Sequence, residues 1–144
     1  MGKIIPNSIV TFTEKTKFLY AINKGINGAE LRRNPYRVNN VIPPDQRRIS
    51  FSNMIYIGDG PTDIPCFSAV QQNGGKTVGL LKYNTVAGRG VVDKRRAWAI
   101  ASGERSTLGP FKPNYEETSD LCENLKLQIE RVALEISDAT KRSR

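Results

Sequence analysis

The sequence predicts an α/β fold of the three-layer, Rossmann-like kind, and two observations lead to this class. The β-favouring run Ile55-Tyr56-Ile57 stops at Gly58, as a buried strand stops at a turn. A helical pattern from Thr62 to about Gln72 follows, and a second apolar strand runs from Lys76 to Leu81. Strand, helix and strand in this order form one parallel unit with a right-handed crossover. At 144 residues, the chain has the length of a single domain, numbered 1–144.

The residues before the first of these strands predict one helix and a long connection. Ile9 to Phe12 reads as a short strand, and Thr13 is placed to cap a helix over Glu14–Lys24 that ends at Gly25. Residues 25–50 carry Gly, Asn, Pro and Arg without sustained periodicity. We therefore expect a surface connection there, with a short helical turn around Pro44 to Arg47.

The residues after Leu81 predict an insertion, a last strand and a long helix. Residues 83–110 are Gly-rich and basic, and we expect an irregular insertion with a short helix at 96–101 around Trp98. Phe111 to Tyr115 reads as the last strand. Ser119 then caps a helix whose apolar stripe is expected to pack on the sheet, and that stripe consists of Cys122, Leu125, Ile129, Val132 and Ile136. Residues 138–144 read as a frayed basic tail.

The composition excludes several classes of protein. No apolar run approaches the roughly 20 residues of a spanning helix, and the first residues lack the core of a signal peptide. We therefore expect a cytoplasmic location and no role in a membrane. The chain has no histidine, and its two cysteines, Cys66 and Cys122, lie far apart. Zinc sites of the usual Cys and His types and His-containing catalytic triads are therefore not expected.

The net charge of +8 is compatible with binding to nucleic acid or to phosphorylated substrates. The basic residues occur in short clusters such as Arg47-Arg48 and Lys94-Arg95-Arg96. These clusters are not interleaved with aromatic residues along the sequence, as those of a base-stacking surface would be. The linear pattern therefore favours solvated loops over a nucleic-acid partner.

The turn after the first strand carries the best candidate site. Asp59 comes directly after the strand, Gly60 and Pro61 turn the chain, and Asp63 falls in the first turn of the next helix. Open α/β sheets bind ligands at this edge. Two neighbouring carboxylates are more easily kept ionised by a cation, and hard oxygen ligands suit Mg²⁺. The spacing alone fits equally well an Asp-Gly turn in which Asp63 merely caps a helix.

This stretch resembles a known motif. Ile-Gly-Asp-Gly-Pro-Thr-Asp-Ile-Pro-Cys-Phe, followed by Gly-Gly-Lys-Thr-Val-Gly, resembles the fourth motif of the haloacid dehalogenase (HAD) superfamily, in its phosphoserine-phosphatase-like branch. The resemblance implies that Asp59 and Asp63 form the Mg²⁺ site, Asp59 as a catalytic ligand. It also implies that Lys15, within Thr13-Glu14-Lys15-Thr16-Lys17, is the catalytic lysine of the third motif. Lys15 and Gly60 would then contact the phosphate of a phosphorylated small molecule.

The first motif of that family, Asp-x-Asp-x-Thr or Val, is missing from the sequence. Asp45 and Asp93 each have an arginine two residues later in place of the second Asp. The resemblance therefore implies the carboxyl-terminal part of a Mg²⁺-dependent phosphomonoester hydrolase, a partial HAD core without the nucleophile strand and cap. We expect it to be inactive alone. Two alternatives stay open, namely a non-catalytic HAD-fold binding or regulatory domain and a basic nucleic-acid-binding module.

The resemblance also predicts an unpaired sheet edge. In that family the nucleophile strand lies beside the strand of the fourth motif, so its absence leaves Met54 to Ile57 open on one side. These residues carry no charge that would prevent the pairing of a further strand. We expect self-association at this edge, or pairing with the chain's own segment Ile4 to Phe12.

Overall fold

The structure is a computed structural model, and it describes residues 11–101 and 106–142. This part of the chain forms five α-helices and five strands. In chain order they are α1 (Phe12–Lys24), α2 (Gly28–Arg33), β1 (Ile55–Gly58), α3 (Ile64–Gln72), β2 (Lys76–Leu80), β3 (Tyr83–Val86), β4 (Arg89–Val92), α4 (Lys94–Ala101), β5 (Leu108–Phe111) and α5 (Asp120–Arg142).

A parallel sheet in the order β1-β2-β5 lies at the centre. Tyr56 is opposite Thr77 and Gly58 is opposite Gly79, so β1 and β2 end side by side. The predicted β1-α3-β2 unit and the α/β class are therefore confirmed. Within the described residues, β1 pairs with β2 alone, whereas the HAD-like details of the sheet stay predictions.

Helices cover both faces of the sheet because successive strand residues point to opposite sides. On one face, Ile57 and Val78 pack in a cluster with Leu121 of α5. On the other face, Tyr56 packs in a cluster that includes Leu19 of α1 and Val70 of α3. The aliphatic and aromatic residues of β1 are thus partly buried on both sides of the sheet.

The start of α1 differs from the prediction. Thr11, not Thr13, is the N-cap, and its N–H donates to the Glu14 carboxylate at 3.3 Å. Phe12 is helical, so the predicted strand at Ile9–Phe12 is wrong at its last residue, and residues 4–10 lie outside the described residues. The predicted end is confirmed. Gly25 has a φ of 69°, a left-handed conformation that suits glycine.

The connection between α1 and β1 has more structure than the sequence suggested. Asn27 caps α2 by accepting from two backbone N–H groups at 3.0 Å, and Leu31 of that helix is buried with Ile26. Three short 3-10 turns follow at 35–39, 44–46 and 51–53. The second of these corresponds to the turn predicted near Pro44.

Residues 83–101 and 106–110, the described part of the predicted insertion, are more regular than predicted. Strands β3 and β4 form an antiparallel hairpin whose turn holds Ala87 at φ 48° and Gly88 at φ 76°. Helix α4 begins at Lys94 rather than at 96. The last strand is β5 at Leu108–Phe111, so the prediction of a strand at 111–115 is wrong in position.

Helix α5 runs to Arg142, so the predicted fraying from residue 138 is wrong for 138–142. Its apolar stripe packs on the sheet only in part. Of the predicted stripe, Leu125 packs against the sheet cluster and Val132 is buried, whereas Ile129 and Ile136 are 58% and 44% exposed. Leu121, which is outside the predicted stripe, is buried in the same cluster. In the part of the chain that the structure describes, the search for helices long and apolar enough to cross a membrane finds none.

Candidate functional site

Asp63 is the buried centre of the polar turn after β1. It is 4% exposed, and both carboxylate oxygens accept two hydrogen bonds. Oδ1 accepts from Lys15 Nζ and from the Tyr56 hydroxyl, each at 2.7 Å. Oδ2 accepts from the backbone N–H groups of Asp59 at 3.1 Å and Gly60 at 3.3 Å. The carboxylate thereby holds the turn closed.

Gly58 makes room for this carboxylate. A Cβ at position 58 would lie 2.6 Å from the Cβ of Asp63 and 2.7 Å from its Cγ, which is closer than real contacts allow. The strand therefore has to end in a residue without a side chain, since Asp63 folds back over its last residue.

Lys15 reaches this turn from the first turn of α1. Its Nζ forms an ion pair with Asp63 at 2.7 Å and also donates to the Thr62 hydroxyl at 3.2 Å. The lysine side chain is 31% exposed. A cation in the first turn of a helix is disfavoured by the helix dipole, and the buried Asp63 carboxylate offsets that effect here.

The surroundings shift two pKa values. Burial by itself would raise the pKa of the Asp63 carboxyl, but hydrogen bonds from Lys15 and Tyr56 and the positive charge of Lys15 hold it below its usual 3.8. Burial, followed by the hydrogen bond to Asp63, raises the pKa of the Tyr56 hydroxyl. Asp63 is therefore ionised and Tyr56 is a neutral donor at neutral pH.

Asp59 lies at the solvent-exposed side of the site, where it forms an ion pair with a lysine that follows β2. Its Oδ2 accepts from Lys82 Nζ at 2.9 Å, and the two side chains are 42% and 43% exposed. Lys82 follows the end of β2, so it lies at the same sheet edge as Asp59. Sequence reasoning missed both Lys82 and Tyr56. The signal for Lys82 was its position two residues after a strand parallel to β1.

These groups line a cleft of about 630 Å³ at the carboxyl ends of β1 and β2. Its walls include the predicted residues Lys15, Asp59 and Asp63, together with Lys82. Pro113 and Tyr115, which follow β5, line it as well. The structure therefore brings the lysine and both carboxylates of the predicted site to one cleft. Lys15 and Asp63, which meet there, are 48 residues apart in the sequence.

Gly60 also lies at this turn, but its N–H donates to Asp63. A phosphate oxygen at Gly60 would have to share that N–H or replace the carboxylate. Gly60 therefore contributes to the shape of the turn in this structure, and its predicted contact with phosphate stays a prediction.

The donor set fits Mg²⁺ through Asp59 rather than through both carboxylates. Asp59 offers hard oxygen atoms at a solvated position, as Mg²⁺ prefers. Asp63 would have to give up hydrogen bonds to become a direct ligand, so it fits the role of holding the Asp59 backbone and adding negative charge. Within residues 11–101 and 106–142, no three His, Cys, Asp or Glu side chains come together as a metal-binding group.

Asp93 belongs to a different part of the molecule. It accepts from the backbone N–H of Arg96 at 3.1 Å and from the Asn84 amide at 3.2 Å. These contacts lower the pKa of its carboxyl, that of Arg96 most strongly. Asp93 therefore stabilises the start of α4 against the hairpin, as an N-terminal acidic residue does.

Comparison with known proteins gives one partial likeness. No described protein family and no solved structure matches the chain. A protein of Borreliella burgdorferi (strain ATCC 35210), described as an uncharacterized protein, is 36% identical over 58 residues. The likeness takes in 40% of this chain and 18% of the Borreliella protein, so the chain spans less than a fifth of that relative's length.

Proposed function

We propose that this chain carries the metal-binding and lysine half of a Mg²⁺-dependent phosphomonoester hydrolase site of the HAD type. A phosphorylated small molecule would bind in the cleft at the carboxyl ends of β1 and β2. The attacking carboxylate would come from a segment that completes the site. An aspartyl-phosphate mechanism of this kind needs three things at one place, namely a nucleophile, a metal ligand and a fixed cation.

The ion pair between Lys15 and Asp63 supports this proposal most strongly. It joins two remote segments at the carboxyl end of a parallel strand, and its carboxylate is buried at 4% exposure. An ion pair of this kind stabilises the fold wherever it lies, so its position in the cleft is what supports a functional role. Here its ammonium group lines a cleft beside a solvated carboxylate, Asp59.

The residues divide the work according to their contacts. Bound Mg²⁺ would supply Lewis-acid stabilisation of phosphoryl oxygens, with Asp59 as its ligand in this chain. Lys15 would neutralise phosphoryl charge while Asp63 and Thr62 fix its position. Asp63 would hold the N–H groups of residues 59 and 60 in place, and Tyr56 would keep Asp63 oriented. Preorganised charges of this kind act without reorganisation at the moment of reaction.

One observation favours the non-catalytic alternative, a domain that binds an anion without hydrolysing it. Lys82 forms an ion pair with Asp59, as Lys15 does with Asp63. The charges of these two lysines and two carboxylates therefore cancel. A phosphorylated ligand could bind to Lys15 and Lys82 without a metal. The two functions differ in whether Mg²⁺ binds at Asp59.

The first experiment is a Mg²⁺ titration followed by ¹⁵N chemical shifts. We expect weak binding, at about millimolar Mg²⁺, because the ion gives up its water reluctantly and meets few ligands here. Shifts should concentrate at the amides of residues 58–60 and vanish in Asp59→Asn. Asp120→Asn, which removes an exposed carboxylate of α5, is the matched control. Shifts that persist in Asp59→Asn would refute the proposed metal site.

The second experiment measures hydrolysis of a generic aryl phosphate with Mg²⁺. We expect no turnover above background from this chain, because Asp93 is engaged at the start of α4 and cannot replace the nucleophile. Robust turnover that Asp93→Asn abolishes would overturn this assignment. Addition of the upstream half of a HAD phosphatase is expected to produce activity, and Lys15→Ala should then remove most of it. Anion binding without activity in that mixture would favour the binding domain.

A further inference from the structure

The outer face of α4 combines the single tryptophan of the chain with two cations. Ile100 fixes the helix against the sheet: it is fully buried, and its Cγ2 would lie 2.4 Å from a Cβ at Gly79 of β2. Trp98, two residues earlier, therefore points roughly away from the sheet, and it is 76% exposed. Lys94 and Arg95 lie one turn before Trp98 and flank it on that face.

The charge around this face is strongly positive. The segment from Lys82 to Ala101 has five basic residues and one acidic residue, a net charge of +4 of the +8 of the chain. Lys82 pairs with Asp59, and Arg96 pairs with Asp93 at 3.5 Å. For Lys94 and Arg95, the described residues provide no ion-pair partner. Within the part of the chain that the structure describes, two cations without an ion-pair partner thus lie on the same helix face as an exposed indole ring.

A hollow of about 330 Å³ lies next to the ring. Ala97, Ala101 and Pro110 line it together with Trp98. Its walls carry small or flat apolar groups, so a planar ring could stack on the indole. Lys94 and Arg95, one turn earlier on the helix, would then be available to pair with a negatively charged group attached to that ring.

We propose that this face, formed by Lys94, Arg95 and Trp98, binds single-stranded nucleic acid. One base stacks on Trp98 and the neighbouring phosphates pair with the two cations, the combination that binds single strands with little sequence preference. The basic clusters gave no such indication along the sequence. Helical spacing places the aromatic residue and the cations on one face, although Arg96 and Ala97 separate them in the chain.

The same features fit an anionic lipid surface less well. A helix that lies in a membrane interface buries an apolar face in the acyl region. In α4 the large aliphatic residue, Ile100, is buried against the sheet, and Trp98 is the one large apolar side chain exposed on the helix. Little apolar area is therefore available for insertion, whereas base stacking needs one ring.

The single tryptophan allows a direct test. A short oligothymidylate of about a dozen nucleotides, within the usual site sizes, is titrated into the protein while the Trp98 emission is recorded. We expect quenching that weakens with salt. Two phosphate contacts on a single strand predict a slope of about −1.4 in a plot of log K against log salt concentration. Absence of quenching at low salt would overturn the proposal.

Variants locate the site by the anisotropy of a labelled oligothymidylate. Trp98→Ala should weaken binding roughly 5- to 150-fold, the range for loss of one stacked base, whereas Trp98→Phe should retain most of it. Tyr36→Ala removes a ring that is 78% exposed on another element and should have no effect. Lys94→Glu with Arg95→Glu should abolish binding, and the matched pair Arg32→Glu with Arg33→Glu in α2 should not.

Three outcomes count against the proposal. Equal losses in the control pair would show that net charge alone attracts the strand. Undiminished binding by a folded Trp98→Ala variant, with its circular dichroism unchanged, would exclude stacking. A blue shift of the Trp98 emission with phosphatidylserine vesicles, without any response to the oligonucleotide, would assign the face to a lipid surface instead.

Discussion

Lys82 and Mg²⁺ compete for the same carboxylate, so we expect Lys82→Met to bind Mg²⁺ more tightly than the wild type. In the structure, Lys82 Nζ lies 2.9 Å from Asp59 Oδ2. A cation at Asp59 has to displace this ammonium group or share the carboxylate with it. Methionine keeps an apolar side chain of similar length but removes the charge.

The size of the effect follows from the exposure of the pair. Both side chains are more than 40% exposed, so water and salt screen their attraction. Exposed ion pairs of this kind contribute about 0 to 1 kcal/mol. Since about 1.4 kcal/mol corresponds to a factor of ten, loss of the pair should lower the Kd for Mg²⁺ by up to about fivefold.

The assay is the Mg²⁺ titration of the 58–60 amides, carried out at low and high ionic strength. Lys76→Met is the matched control, because Lys76 lies at the other end of β2 and its loss changes the net charge equally. The gain in Mg²⁺ affinity from Lys82→Met should shrink at high salt, where screening already weakens the ion pair between Lys82 and Asp59. A Kd unchanged in Lys82→Met, or lowered equally in Lys76→Met, would refute the competition.

Three further predictions concern the fold around the site. The folded pKa of the Asp63 carboxyl is held below 3.8, so its ionised form contributes stability above about pH 4 that is lost as the pH falls through the folded pKa. The difference in free energy of unfolding between wild type and Asp63→Asn, measured in urea, should therefore narrow in acid. A difference that stays constant with pH would contradict this. Gly58→Ala should lower the free energy of unfolding by about 1 to 3 kcal/mol, because the added Cβ overlaps Asp63. Gly60→Ala, whose added Cβ has nothing within 4 Å, should unfold like the wild type. The open edge of β1 should cause self-association that rises with protein concentration in light scattering. Phe18→Glu, in the apolar groove beside that edge, should reduce this self-association. An equal reduction in the distant control Val41→Glu would exclude the β1 edge as its cause.

The sequence predicted the elements whose signals are local. The apolar run at 55–57, Gly58 after it and the Gly74-Gly75 pair between helix and strand predicted β1, α3 and the start of β2 nearly to the residue. The hairpin β3-β4 was missed, although β-branched residues flank an Ala-Gly turn. The last strand was predicted too late in the chain. It contains Pro110, which is tolerated there because β5 lies at the sheet edge.

The site was predictable where a motif spans neighbouring residues and less so where tertiary contacts decide. Asp59 and Asp63 lie on one turn, so their proximity follows from the sequence. The difference between their environments does not follow from the sequence. Asp63 is buried among four donors and Asp59 is solvated beside Lys82, and both environments depend on segments that fold in from other strands and helices.

The length of the connection from Gly25 to Met54 has a consequence for how the cleft responds to a ligand. Lys15 belongs to a helix that has to dock from across this connection, and for a flexible chain of that length the loop-closure entropy is about 3 kcal/mol. Undocking of α1 would take Lys15 out of the cleft, and it would also expose Leu19, which lies in the buried cluster with Val70. Any anion that contacts Lys15 and the β1 turn together stabilises the docked state by mass action. Slower amide hydrogen exchange along α1 would then report occupancy of the cleft, even for a ligand that undergoes no chemistry.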